Sequence, residues 1–146
     1  MAVLITGGTG KTARHLERFL ANANTPFVLT SRRGPSGAPE GLSDKTVKFD
    51  MLDESTFAAP FAYKFQNGEK ITSLYLIAPE CENPAFVADS FIDYVTKKGV
   101  KRIVMLAGST AEISNEFVAD TCKSLTDIGL EYCVLRPTWF NGIFED

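Results

Sequence analysis

The chain is poor in the residues that would mark it as a metal, secreted or nucleic-acid-binding protein. Its three cysteines, Cys81, Cys122 and Cys133, are odd in number and match no metal-ligand spacing, so no metal site is expected. A reducing cytoplasm is the expected home, with all three as small core residues. There is one histidine, His15, read as a surface residue of the first helix. A basic face is also lacking: the net charge is −3, and the basic residues are scattered apart from Arg32-Arg33 and Lys97-Lys98. That excludes a non-specific nucleic-acid binder, which needs cations to neutralise phosphates. No apolar run approaches the ~18 to 20 residues that span a bilayer. The opening "MAVLI" turns at once into glycine instead of continuing an apolar signal region.

What is present is the balance of a soluble folding chain, with 45% hydrophobic and 23% charged residues over 146 positions. That length fits a single domain, residues 1–146, with a real core. Apolar runs of about five residues recur with room for helices between them. Strands are expected at Val3–Thr6, Phe27–Thr30, Thr46–Phe49, Leu74–Ala78, Arg102–Ala107 and Glu131–Leu135. "RIVMLA" and "EYCVL" read as strands buried on both faces, the pattern of a parallel sheet. In the first helix Leu16, Phe19 and Leu20 form an apolar stripe while Arg14, Glu17 and Arg18 face water. Further helices are expected near Asp53–Tyr63, Pro84–Lys98 and Ser114–Ile128, with Gly99 and Gly129 as helix stops. "RRGPSGAPEGLSD", residues 32 to 44, reads as a loop. The sum is an α/β fold, a doubly wound parallel sheet of about six strands in the order 3-2-1-4-5-6.

The first strand runs into Gly7-Gly8-Thr9-Gly10-Lys11-Thr12-Ala13, which opens the first helix. Gly7, Gly10 and Ala13 have the spacing G-x-x-G-x-x-A, whose parts permit a tight turn, a close backbone approach to a pyrophosphate and close helix packing. Lys11 and Thr12 complete the candidate phosphate set at the helix N-terminus, where free N–H groups and the helix dipole favour anions. A P-loop is excluded because Ile5 stands where that pattern needs its first glycine. After the second strand, Ser31-Arg32-Arg33 suits a ribose 2′-phosphate, hence NADP(H) over NAD(H), or else forms a solvated basic turn. Asp50, after the third strand, is placed to meet an adenine edge or to cap the next segment.

"LITGGTGKTA", "SRR", "LYLIAPE", "GVKRIVMLAGS" and "LEYCVLRPTWF" together resemble the NmrA-like atypical short-chain dehydrogenase/reductases, most of all the fungal festuclavine and agroclavine dehydrogenase group of ergot alkaloid pathways. The resemblance implies a Rossmann fold and an NADP(H) cofactor. It would set Gly7, Gly10 and Ala13 at the pyrophosphate, Ser31, Arg32 and Arg33 at the 2′-phosphate, and Ala78 and Pro79 beside the nicotinamide ribose. Members of that family continue for over a hundred residues past the segment matched by "LRPTWF", so the substrate-covering domain is expected to be lacking here. The tyrosine and lysine pair of other short-chain dehydrogenases has only a chance counterpart in Tyr94 and Lys98, on the helix before strand five.

Ligands in such sheets bind beyond the carboxyl ends of the strands. Glu80 and Glu82 after strand four are acid candidates, with solvated loop carboxylates as the alternative. Ser109 after strand five is either a substrate-oxygen contact or a helix cap. The leading expectation is an NADP(H)-binding reductase that transfers hydride to an iminium, enone or carbonyl of a small-molecule substrate in secondary metabolism. Two other readings stand beside it: a redox-neutral cyclase or isomerase on the same scaffold, and a non-catalytic NADP-sensing or subunit-binding protein. Phe140, Ile143 and Phe144 suggest an apolar partner patch, hence a homodimer or a hetero-complex.

Overall fold

A computed structural model of the chain describes residues 1–107 and 116–138. Six strands lie in one sheet in the order β3-β2-β1-β4-β5-β6. They are β1 (Ala2–Ile5), β2 (Phe27–Ser31), β3 (Thr46–Lys48), β4 (Ile71–Ile77), β5 (Arg102–Leu106) and β6 (Glu131–Leu135). Every neighbouring pair is parallel. Leu4 sits between Val28 and Leu74, and Ile5 between Leu29 and Tyr75, so β1 is central. Sequence order runs outward from β1 in both directions. The crevice where it reverses, between β1 and β4, is the switch point at which such sheets bind ligands.

Alternation along the strands sends side chains to two layers. Leu4, Leu74, Leu76, Ile103 and Met105 belong to the larger layer. Helix α3 (Pro84–Lys97) adds Ala88, Phe91, Ile92 and Val95 to it, and α4 (Glu116–Ile128) adds Val118 and Leu125. Phe49, Phe57 and Phe91 form its aromatic centre, with ring centroids 4.8 to 5.9 Å apart. On the other face α1 (Lys11–Asn22) lays Ala13 against Ile5, Phe27, Leu29 and Tyr75.

The strand order and the β6 boundaries agree with the sequence reading, while several local expectations are corrected. The single helix expected over Asp53–Tyr63 is a 3-10 turn, Glu54–Thr56, followed by the short α2 (Ala59–Ala62). Asp53 accepts hydrogen bonds from the Ser55 backbone and hydroxyl, and Thr56 Oγ1 donates back toward Asp50 and Asp53, so side chains take over the backbone's partners. Pro60 lacks an N–H and starts a new helix instead of extending an old one. The loop over 32 to 44 contains 3-10 turns at Gly34–Gly37 and Ser43–Lys45. Residues 114 and 115 of the last expected helix lie outside the described residues.

β6 is not buried on both faces: four of its five residues are exposed, because it is an edge of the sheet. Of the cysteines, Cys122 is half-buried and packs against the larger layer, whereas Cys81 is half-buried outside it and Cys133 is exposed. Burial pushes the Cys122 thiol up, away from the low values that make a cysteine reactive. Glu17 is half-buried rather than water-facing, and Phe19 is 72% exposed. Leu16 and Phe19 instead line an open groove of about 570 Å³ with Tyr75, Leu106, Leu135 and Pro137. Gly99 and Gly129 stop their helices at positive φ, 98° and 76°, as expected. None of the described helices is long and apolar enough to cross a membrane.

Candidate functional site

The crevice between β1 and β4 is held by a buried threonine just beyond β1. The Thr6 hydroxyl donates to the Tyr75 carbonyl at 3.0 Å and accepts from the Ile77 N–H at 2.9 Å. Thr30 at the end of β2 donates to the Ile5 carbonyl at 3.2 Å. Each such bond contributes about 1 kcal/mol net, and more is lost if a buried partner is orphaned. The carboxyl ends of β2, β1 and β4 are thereby tied together where the chain must turn away from the sheet.

That turn is made by glycine. Gly7 adopts φ +61°, and Gly10 donates its N–H to the Gly7 carbonyl at 2.8 Å. Gly8 donates to the Thr30 carbonyl at 3.0 Å, and a Cβ there would lie 2.8 Å from Leu29 Cβ. The loop therefore lies flat on β2. Gly10 then caps α1 in extended conformation with no side-chain cap, and no acidic residue stands in the first turn. The first-turn N–H groups and the positive end of the helix dipole are left to an anion.

Above the strand ends lies an open cleft of about 330 Å³. Thr6, Gly7 and Thr9 form its floor, Thr30, Ser31 and Arg32 one end, residues 49–52 a side, and Ile77, Ala78, Pro79 and Glu80 the other end. Of the residues singled out from sequence, Gly7, Ser31, Arg32, Asp50, Ala78, Pro79 and Glu80 come together here. Ala13 is fully buried against the sheet, where its small side chain brings α1 close. Lys11 is exposed at the start of α1 outside the cleft lining, and Thr12 lines the apolar groove on the sheet's other side. Arg33 is exposed and donates its N–H to Ser31 Oγ at 3.2 Å. Among the described residues neither Arg32 nor Arg33 has an ion-pair partner.

Asp50 closes a turn at the side of the cleft, its Oδ1 accepting from the Leu52 N–H at 3.0 Å. Glu82 is exposed and does not line the cleft. Ser109 lies outside the described residues, as do Phe140, Ile143 and Phe144. His15 is exposed. Tyr94 packs against Phe57 and Phe61 with Lys98 Nζ 5.4 Å above its ring, a packing arrangement at the far end of α3. No group of three His, Cys, Asp or Glu among the described residues is arranged to hold a metal ion.

Sequence reasoning did not single out Thr6, Thr9, Thr30 or residues 49, 51 and 52 as cleft residues, nor Gly8 as a contact point. The threonines read as β-branched strand residues, and nothing local shows that their hydroxyls cross to other strands.

No family model matches the chain. It is homologous over its whole length to the agroclavine and festuclavine dehydrogenases. Agroclavine dehydrogenase of Claviceps purpurea (strain 20.1) is 37% identical over 99% of this chain and 49% of its own length. Festuclavine synthase II of Penicillium roqueforti (strain FM164) is 35% identical over 100% of this chain and 50% of its own. The chain thus spans about half the length of the curated relatives it matches. The Escherichia coli NADPH-dependent quinone oxidoreductase complexed with NADPH superposes at a TM-score of 0.72 and 24% identity, over 98% of this chain and 52% of that one. Triphenylmethane reductase of Citrobacter sp., complexed with NADP(H), gives 0.76 and 17%, over 99% and 52%. These structures share the fold, an α/β Rossmann-like sheet.

Proposed function

We propose that this homologue of the agroclavine and festuclavine dehydrogenases is the dinucleotide-binding part of an NADP(H)-dependent reductase acting on an iminium, enone or carbonyl of an alkaloid-type substrate. One observation carries the reading: the Gly7–Thr9 turn that leads into the uncapped α1 N-terminus, the Ser31-Arg32 end and the Ala78–Glu80 end meet in one cleft at the switch point. The names of the relatives and the NADPH complexes of the structural neighbours support it.

In this reading the Gly7–Gly10 backbone and the first turn of α1, with Lys11 and Thr12 nearby, hold the pyrophosphate. Ser31, Arg32 and Arg33 hold the 2′-phosphate, and Asp50 borders the adenine. Ala78 and Pro79 set the nicotinamide ribose, and the bound cofactor supplies the hydride. Reduction of an iminium needs no proton, because hydride addition itself neutralises the positive nitrogen. A carbonyl or enone needs one proton, and Glu80 is the cleft carboxyl in reach of that end; Glu82 and Ser109 are the further donors in this proposal. The apolar face formed by Phe19, Leu106 and Leu135 is covered in the working protein by a second copy or another subunit. The unbonded cysteines fit a reducing cytoplasm.

The test is NADPH consumption followed at its absorbance with a panel of cyclic iminium, enone and carbonyl compounds. Turnover with at least one class is expected. Binding of NADPH without consumption across the panel moves the reading to a sensing or redox-neutral role, and no binding of NADPH overturns it. A separate measurement addresses the covering partner: sedimentation at micromolar concentration is expected to show a dimer that Phe19→Ser with Leu135→Ser dissociates. A monomer at all concentrations leaves self-association unsupported.

A further inference from the structure

The segment after β2 folds back on itself. Ser31 is held to the β3 side by the Phe49 N–H, which donates to its carbonyl at 3.0 Å. Its hydroxyl accepts from the Arg33 N–H at 3.2 Å, and Ser36 Oγ donates to the Arg33 carbonyl at 2.8 Å. Pro35 sets the 3-10 turn Gly34–Gly37, which brings Gly37 back over this group. Gly37 is buried, and it is not among the glycines with positive φ. Its backbone would therefore accept an L side chain, and the obstacle is space. A Cβ at Gly37 would overlap Ser31 Oγ and lie 3.0 Å from Arg33 Cβ and 3.2 Å from Arg33 Nε. The three atoms it would displace are the Ser31 hydroxyl oxygen at the cationic end of the cleft and the Cβ and Nε of the adjoining Arg33.

We infer that Gly37 is a positioning residue for phosphomonoester recognition: by leaving its Cβ space empty, it sets Ser31 Oγ and the Arg33 guanidinium at the end of the cleft that takes a ribose 2′-phosphate. The inference rests on the NADP(H) reading of the cleft and assigns its selectivity to the 3-10 turn as well as to the arginines. A guanidinium gains most from a phosphate when its planar fork is pre-oriented, so a small displacement costs affinity for that group alone. The glycine loop and the α1 N-terminus are untouched by a methyl at position 37, so binding of a dinucleotide lacking the 2′-phosphate should not follow.

The experiment is calorimetric titration of the wild-type chain and Gly37→Ala with NADPH, NADH and adenosine 2′,5′-bisphosphate, with thermal melting as a fold control. Gly37→Ala is expected to weaken NADPH and the bisphosphate by roughly tenfold while NADH changes by less than about twofold. In a Ser31→Ala background the same substitution should cost less, since one of the overlapping atoms is gone. Equal losses for NADPH and NADH, or unchanged NADPH affinity, overturn the positioning role while leaving the cofactor reading intact. Failure of the wild-type chain to bind NADPH or the bisphosphate overturns both.

Discussion

Replacing Arg32 and Arg33 together with alanine is expected to raise the Kd for NADPH by roughly 10- to 100-fold, the cost of losing one or two charge-assisted hydrogen bonds. NADH binding should hold within about twofold, since the proposed function assigns its contacts to the glycine turn and α1. The geometry behind this is simple. Arg32 lines the cleft, Arg33 adjoins it through Ser31, and neither guanidinium is paired among the described residues. The exposure of both predicts a second signature, because exposed charges are screened: the NADPH preference should shrink as salt is raised through ~0.15 M and beyond. Fluorescence titration at two ionic strengths reads both effects. An unchanged preference in the double variant would remove Ser31-Arg32-Arg33 as the phosphate end.

The second large effect is on stability. Phe91 is fully buried on α3 and packs its ring 4.8 Å from Phe49 and 4.9 Å from Phe57. Phe91→Ala removes that ring from a close-packed layer and is expected to cost about 3–5 kcal/mol. A domain of this kind has about 5–15 kcal/mol in total, so the loss is a large share of what holds it folded. Melting should fall by on the order of 10 °C, at about 2–4 °C per kcal/mol for a chain near this size. Because Phe49 and Met51 belong to the same layer and line the cleft, dinucleotide affinity should fall with it. A urea midpoint close to that of the wild type would mean that the layer collapses around the gap.

Much of this architecture is legible in the sequence because the central strands are short apolar runs separated by helix-length segments. "FVLT" and "RIVML" need both their periodicity and their neighbours to be strands, and both are present. "EYCVL" reads the same way, yet β6 is the edge: strand composition reports the tendency to pair, while burial depends on what else packs there. The helix over Asp53–Tyr63 misleads for the opposite reason, since its apolar spacing is helical but Asp53, Thr56 and Pro60 act locally to break it. At the site, Gly7 and Gly8 look alike in sequence. Only the fold separates them, one by its positive φ and the other by the approach of Leu29. Glu80 and Glu82 differ in the same way, because no periodicity governs a loop leaving a strand end.

The Thr6 bond to Tyr75 joins positions 69 residues apart. Closing so long a loop costs more conformational entropy than the shorter connection that brings β2 beside β1. Until β4 arrives beside β1, the cleft has one wall. During synthesis the cleft is therefore incomplete until Glu80 has left the ribosome, and any binding that needs both of its ends becomes possible only late in assembly. A ligand present at that moment favours the closed arrangement over the open one by mass action, and so acts on maturation as well as on the finished protein.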